Sequence, residues 1–239
     1  MPLKKGDFVL ISYVAKVKEE DRVISTNIEE EAKKANIFEE GRLYEPELVI
    51  VGEGWVLKGL DEELEKLEVG EERVIEIPPE KAFGKRDPKK VRVIPARELS
   101  MRGIIPRVNM QVEIDGRRAI VRSVGGGRVV LDFNHPLAGR TIVYRVKVIK
   151  RLETIEEKAL ELTHRWIPRI DRSKLVVRLL DNNVIEIELP EDVLSHERIG
   201  LLQRGIARDI QRYIPEVKAV KFITLIPLQK QQASEQKQA

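Results

Sequence analysis

Three histidines, His135, His164 and His196, are the only imidazoles in this chain, and cysteine is absent. The histidines are scattered, with no spacing that sets two ligands on one face, so a metal site would have to be built from carboxylates alone; no metal and no cofactor are expected. The lack of Cys removes disulfides, thiolate ligands and a thiol nucleophile together. What remains for chemistry is shape and polarity. Asn134, His135, Pro136, Leu137, Ala138 and Gly139 form a corner just before an alternating stretch, Ile142, Tyr144 and Val146 against Val143, Arg145 and Lys147. Asn, Pro and Gly specify a bend, and the alternation is that of a half-buried strand. So stiff a corner either holds something at a site or only redirects the chain. A second grouping, Arg204, Arg208 and Arg212, falls at i, i+4 and i+8 of one helix face; such a stripe suits a phosphate backbone or is simply a solvated face.

The elements that position these residues begin with a chain long enough for one large domain or two ordinary ones, with 42% apolar residues to form a core. No run approaches eighteen apolar residues and the first residues lack a signal-peptide cleavage site, so neither a membrane span nor an export address is expected and the default location is the cytoplasm. The 35% charged content, rich in Glu and Lys, resembles proteins of hot environments. The formal charge of +3 conceals an asymmetry. Residues 1 to 84 carry 12 basic and 21 acidic side chains, a net of −9. Residues 85 to 130 carry 12 against 4, a net of +8, and residues 131 to 239 carry 19 against 15, a net of +4. The middle block is a different surface.

Along the chain, DFVLISYVAKVKE is apolar on both faces and predicts a strand inside a sheet. Val23 to Ser25 is a short strand, and IEEEAKKA has the acidic start and basic end of a helix. Leu48 to Val51 reads as a strand, Gly52 and Gly54 as a turn, and Leu57, Leu60, Leu64 and Leu67 as one helix stripe that Gly70 ends. Arg73 to Ile77 is a strand closed by two prolines. The middle block reads as strand throughout: VRVIPARE, then a hairpin turning at Asp115-Gly116 and another at three consecutive glycines. Beyond Arg151 the order is helix (TIEEKALELTHRW), hairpin at Asn182-Asn183, helix with Ile199, Leu202, Ile206, Ile210 and Tyr213 on one face, and strand. This αββαβ order implies a separate α+β domain. The last ten residues are low in complexity and expected to be disordered.

The order of a strand with Tyr13, a short strand with Ile24, VGEGWVLKGLDEEL, VGEERVIEIPPEKAFG, an insertion and NHPLAGRTIVYRVKVIKRLE resembles the FKBP-type peptidyl-prolyl isomerases. Within them it looks like the SlyD group and its long-chain archaeal relatives, over residues 1 to 152. The resemblance implies an α+β fold, with a bent antiparallel sheet over a short helix (1–86 plus 136–152), an inserted small β domain, the insert-in-flap (87–135), and a further C-terminal α+β domain (153–229) before a tail (230–239). It also implies that the corner frames a proline-binding pocket made by Tyr13, Ile24, Val49, Val56, Leu57, Leu60, Phe83, Leu137 and Tyr144. For Val49, Val56 and Leu60, plain core packing is an equally good reading.

The implied chemistry needs no nucleophile. Rotation of a prolyl amide meets a barrier of about 18–20 kcal/mol sustained by resonance; a dry apolar cleft favours the twisted amide, and a backbone donor expected at Leu57 can hold the substrate carbonyl. Two departures bear on rate. Ser25 stands where relatives usually have Asp, and Phe83 where they usually have Tyr. A lost neutral hydrogen bond costs about 0.5–1.5 kcal/mol, so isomerisation several-fold to tenfold slower per change is expected.

The implied partners are unfolded or proline-containing polypeptides. In the insert, Val91, Val93, Ile94, Met101, Ile104, Ile105 and Met110 are candidates for loose contact with such chains, or for the insert's own core. Holding without isomerisation is the alternative activity. The basic surfaces also admit ribosome or RNA association, and the C-terminal domain a homodimer.

Overall fold

The computed structural model describes residues 1–195 and 197–226; His196 and the tail lie outside the described residues. The chain runs β1 (Phe8–Val17), β2 (Arg22–Thr26), α1 (Glu29–Lys34), β3 (Glu47–Ile50), α2 (Lys58–Leu64) and β4 (Glu72–Ile77). It continues with β5 (Val91–Pro95), α3 (Ala96–Met101), β6 (Gln111–Ile114), β7 (Arg117–Gly125), β8 (Arg128–Asp132) and β9 (Ile142–Arg151). Last come α4 (Ile155–Trp166), β10 (Val176–Leu180), β11 (Val184–Leu189), α5 (Ile199–Tyr213) and β12 (Ala219–Thr224). The fold is α+β, as the sequence predicts.

The first sheet has the order β2-β1-β9-β4, with β3 also on β1. β1 is apolar on both faces because it is interior: β9 runs along one side, and the other is shared by β3 at Phe8–Ile11 and β2 at Val14–Val17. α2 lies close under β4. A Cβ on Gly59 would sit 2.5 Å from Ile77 Cγ2, so only glycine allows this approach.

The insert forms its own antiparallel sheet, β5-β8-β7-β6, around a closed core of Leu99, Val112, Ile114, Ala119, Val121, Val129 and Leu131. Both expected hairpin turns occur, with Asp115 and Gly116 at φ 51° and 71° and Gly126 and Gly127 at 55° and 70°, the left-handed pairs that a two-residue hairpin requires. One expectation fails: VRVIPARE is strand only as far as Pro95, and Ala96–Met101 is helix. Pro95 fixes the break, and a helix of six residues is too short to display a 3.6-residue period.

In the last third, β10 and β11 pair antiparallel and β12 joins parallel to β11. Thr154 and Glu157 form a capping box that starts α4. The core of this part is shared with the first sheet, since Phe8 and Ile50 are buried among Leu162, Ile185, Ile187, Ile206 and Ile210, with Leu10, Leu48 and Trp55 packed alongside. Polar contacts reinforce the seam. Arg172 pairs with Glu45 and with Glu161 and donates to the Pro46 carbonyl at 2.7 Å. Arg165 lies 4.2 Å over the Trp55 ring.

Candidate active site

The site grows from an interruption in the first sheet. On the side of β1 shared by β3 and β2, no strand pairs with Ser12 and Tyr13, and the buried Asn27 side chain fills the gap. Its Oδ1 accepts from Tyr13 N–H at 2.8 Å, and its Nδ2 donates to the Ile11 carbonyl at 2.7 Å. Thr26 Oγ1 donates to the Tyr13 carbonyl at 2.7 Å. Three side-chain bonds thus fix the backbone that carries Tyr13, where a ladder would otherwise do so.

Tyr144 of β9 pairs with Ala15 of β1, which sets it diagonal to Tyr13 on one face of the sheet; the ring centroids are 5.6 Å apart and tilted by 44°. Phe83 follows a turn at Pro79–Lys81 and stacks on His135 at 4.5 Å and 2°. Leu137 N–H donates to His135 Nδ1 at 3.2 Å. Gly139 N–H donates to the Gly84 carbonyl at 2.8 Å, tying the corner to the residue after Phe83.

Ala15, Val17 and Ile142 form a buried floor, around which Tyr13, Ile24, Leu57, Ala82, Phe83, Leu137 and Tyr144 pack. Every one of these seven wall residues keeps part of its surface exposed. The aromatic and aliphatic face over this floor is therefore in part accessible to a ligand. Val56 is half-buried beside it, whereas Val49 and Leu60, at 2% and 0% exposure, lie in the core beneath. The turn that presents Val56 and Leu57 is held by buried Asp61, whose carboxylate accepts from Gly52 and Gly54 N–H at 2.8 and 2.9 Å. Leu57 is the N-cap of α2, and its carbonyl accepts from Leu60 and Asp61. Among the described residues its N–H is not engaged in this turn.

The polar handle on Tyr13 survives the substitution of Asp by Ser. Its hydroxyl shares a 3.1 Å hydrogen bond with Ser25 Oγ and reaches Glu47 Oε2 at 3.5 Å. Burial raises the Glu47 carboxyl above the usual carboxylate range, although Arg42 opposes the shift. Burial, with the Glu47 charge, raises the Tyr13 phenol; burial also raises that of Tyr144 well above its ordinary value. Both phenols are therefore protonated donors at neutral pH. The site offers a largely apolar surface with hydroxyl and amide donors, suited to lodging a small ring and holding a carbonyl rather than to moving a proton.

The corner has a second task. Asn134 Oδ1 accepts from Asp87 N–H and its Nδ2 donates to the Asp87 carbonyl, both at 2.9 Å, which clamps together the chain entering and the chain leaving the insert. Asn134 also donates to Asp132 from its backbone N–H and side chain, at 3.0 and 2.8 Å. Arg86 and Arg122 meet the other oxygen of Asp132 at 2.8 and 3.1 Å. Burial opposes ionisation of this carboxyl, but the Asn134 hydrogen bonds and the two guanidiniums outweigh it and hold it below its usual range.

Of the insert candidates, Ile94 and Ile104 pack on its core and Val91 is half-buried. Val93, Met101, Ile105 and Met110 are exposed, Met101 to 86% and Ile105 to 77%. Val108 and Val124, exposed as well, were not among the expected residues. Nor were Ala82, His135 and Glu47 expected at the hollow. His135 alone had a signal in the sequence, its place in the corner beside Pro136.

Comparison with known proteins gives three matches along the chain. A profile of the FKBP-type peptidyl-prolyl cis-trans isomerases matches residues 1–100, one of the FKBP26 IF domain matches residues 92–137, and one of the FKBP26 C-terminal region matches residues 155–226. A short-type peptidyl-prolyl cis-trans isomerase of Methanocaldococcus jannaschii is 39% identical over 146 residues, 61% of this chain and 92% of that protein. A probable FKBP-type 16 kDa isomerase of Pseudomonas fluorescens is 33% identical over 41% of this chain and 68% of its own length. The isomerase SlyD of Helicobacter pylori is 30% identical over 50% of this chain and 66% of its own length.

Proposed function

The chain belongs to the FKBP-type peptidyl-prolyl cis-trans isomerases, and from that premise we propose that it isomerises prolyl bonds in unfolded or nascent polypeptides that its insert holds. The observation that carries the reading is the pairing of a partly exposed aromatic and aliphatic cluster with a basic insert that exposes Val93, Met101, Ile105, Val108 and Met110 outside its own closed core. In the hollow, Tyr13, Phe83 and Tyr144 enclose the proline ring and exclude water, which weakens amide resonance. The Leu57 N–H holds the preceding carbonyl as the bond twists. Because Phe83 has no hydroxyl and Ser25 stands where relatives usually carry a carboxylate, isomerisation is slower by several-fold to tenfold per change. A chain held on the insert raises the local concentration of prolines at the hollow. RNA association has less support, since Arg212 is occupied by Glu53 at 3.6 Å and by the Tyr213 ring.

The test compares a tetrapeptide with a protein whose refolding is limited by proline isomerisation, using wild type and Met101→Ser/Ile105→Ser. The double variant is expected to lose most of its effect on the protein and little on the tetrapeptide. Equal losses on both substrates would discard the cooperation, and no acceleration of the tetrapeptide at micromolar wild type would discard the isomerase reading.

A further inference from the structure

Beside the hollow, where the insert meets the first sheet, lies a cavity of about 510 Å3 lined by Glu20, Arg22, Arg86, Arg122, Asp132 and Arg140, among others. Leu137 and His135 belong to both places: Leu137 is a wall of the hollow, His135 stacks on Phe83, and both line the cavity. The two places adjoin, so a residue flanking a proline seated against Leu137 would lie within reach of this opening.

The charge of the cavity is set by shared carboxylates. Asp132, 1% exposed, serves Arg86 and Arg122 at once, and its other oxygen is taken by Asn134. Glu20 likewise serves Arg22 through one oxygen and Arg140 through the other, each at 3.0 Å. One carboxylate cannot neutralise two guanidiniums, so each trio keeps one net positive charge, and the cavity holds two. Glu19, bonded to the Thr141 N–H at 3.0 Å and within the field of Arg140, is not part of the lining. The buried anchor at Asp132 holds Arg86 and Arg122 in place before any ligand arrives, so little of their freedom remains to be lost on binding.

Resting on the reading of the hollow as the isomerase site, we propose that this cavity is a specificity subsite that receives an acidic side chain, Asp or Glu, flanking the proline of the client. Isomerisation is faster for prolines in acidic sequence, and the preference is electrostatic.

The test measures kcat/KM on peptides that carry Glu, Ala or Lys beside the Xaa-Pro bond, at low salt and with about 0.5 M added salt. Wild type is expected to favour Glu over Ala by about two- to fivefold at low salt, the scale of one exposed ion pair, and to lose the preference at high salt. Arg86 and Arg122 hold a buried carboxylate, so the variants are placed in the exposed trio. Arg22→Gln/Arg140→Gln takes the cavity from +2 to 0 and is expected to abolish the Glu-to-Ala ratio; Glu20→Gln takes it to +3 and is expected to raise the ratio. A general disturbance of structure would move both variants the same way. Ratios near one in wild type, or the same in all three proteins, would overturn the subsite. If no peptide is isomerised at all, the isomerase reading fails separately, and fluorescence anisotropy of a labelled Glu-Pro peptide against the same variants decides the subsite. Retention of RNA through these arginines with no discrimination among the peptides would also overturn it.

Discussion

Trp55 Nε1 donates to the Tyr213 hydroxyl at 3.1 Å across 158 positions of sequence, and the two rings meet edge to face at 5.5 Å and 73°. Trp55 directly precedes Val56 and Leu57, so the C-terminal part of the chain touches the turn that presents the candidate carbonyl donor. Removing the hydroxyl alone leaves a partly buried indole N–H without that acceptor. Tyr213→Phe is expected to lower stability by about 0.5–1.5 kcal/mol, read from the midpoint of denaturant unfolding. Trp55→Ala, which also opens a void between the two cores that it packs on, is expected to cost about 3–5 kcal/mol and to slow isomerisation with it.

Tyr13→Phe is expected to reduce kcat/KM on a short Xaa-Pro peptide by about two- to tenfold, the worth of a neutral hydrogen bond. Ser25→Ala is expected to cost less, because Glu47 remains 3.5 Å from the Tyr13 hydroxyl. A loss in Ser25→Ala equal to that in Tyr13→Phe would show that Glu47 gives no support.

His164 supplies a pH dependence. Burial and the Arg172 guanidinium lower its imidazole below the ordinary 6.5, although Glu45 Oε1 lies 3.1 Å from Nε2. A neutral ring with its proton on Nε2 donates to the Ile170 carbonyl at 2.9 Å and to Glu45 alike, so no charge is needed to satisfy the site. The folded state thus resists a proton that the unfolded state takes up. Stability conferred by the neutral ring is complete above about pH 6.5 and declines as pH falls below it toward the folded value. Unfolding free energies measured from pH 7.5 to 5 are expected to fall in wild type and to fall less in His164→Gln.

What the sequence made legible is local. The hairpin turns at Asp115-Gly116 and at the glycine run, the leucine stripe of α2, and the helix in TIEEKALELTHRW each announce themselves within a few residues. The order of motifs then places Tyr13, Phe83 and Tyr144 together. The groups that hold those rings were not legible, because each acts at a distance: Asn27 fills a gap that exists only once β2 and β3 both pair with β1, and Asp61 reaches back to the N–H groups of Gly52 and Gly54. Asn134 stands in the corner itself, but its partner Asp87 lies 47 positions earlier. Exposure in the insert was not readable either, since Ile104 and Ile105 are neighbours of the same kind and only one packs inward.

The clamp of Asn134 on Asp87 does not act alone: the Arg86–Asp132 ion pair and the hydrogen bond from Gly139 N–H to the Gly84 carbonyl fasten the same neck. The base of the insert and the rim of the hollow are thus one fastening, so a change that loosens either loosens both.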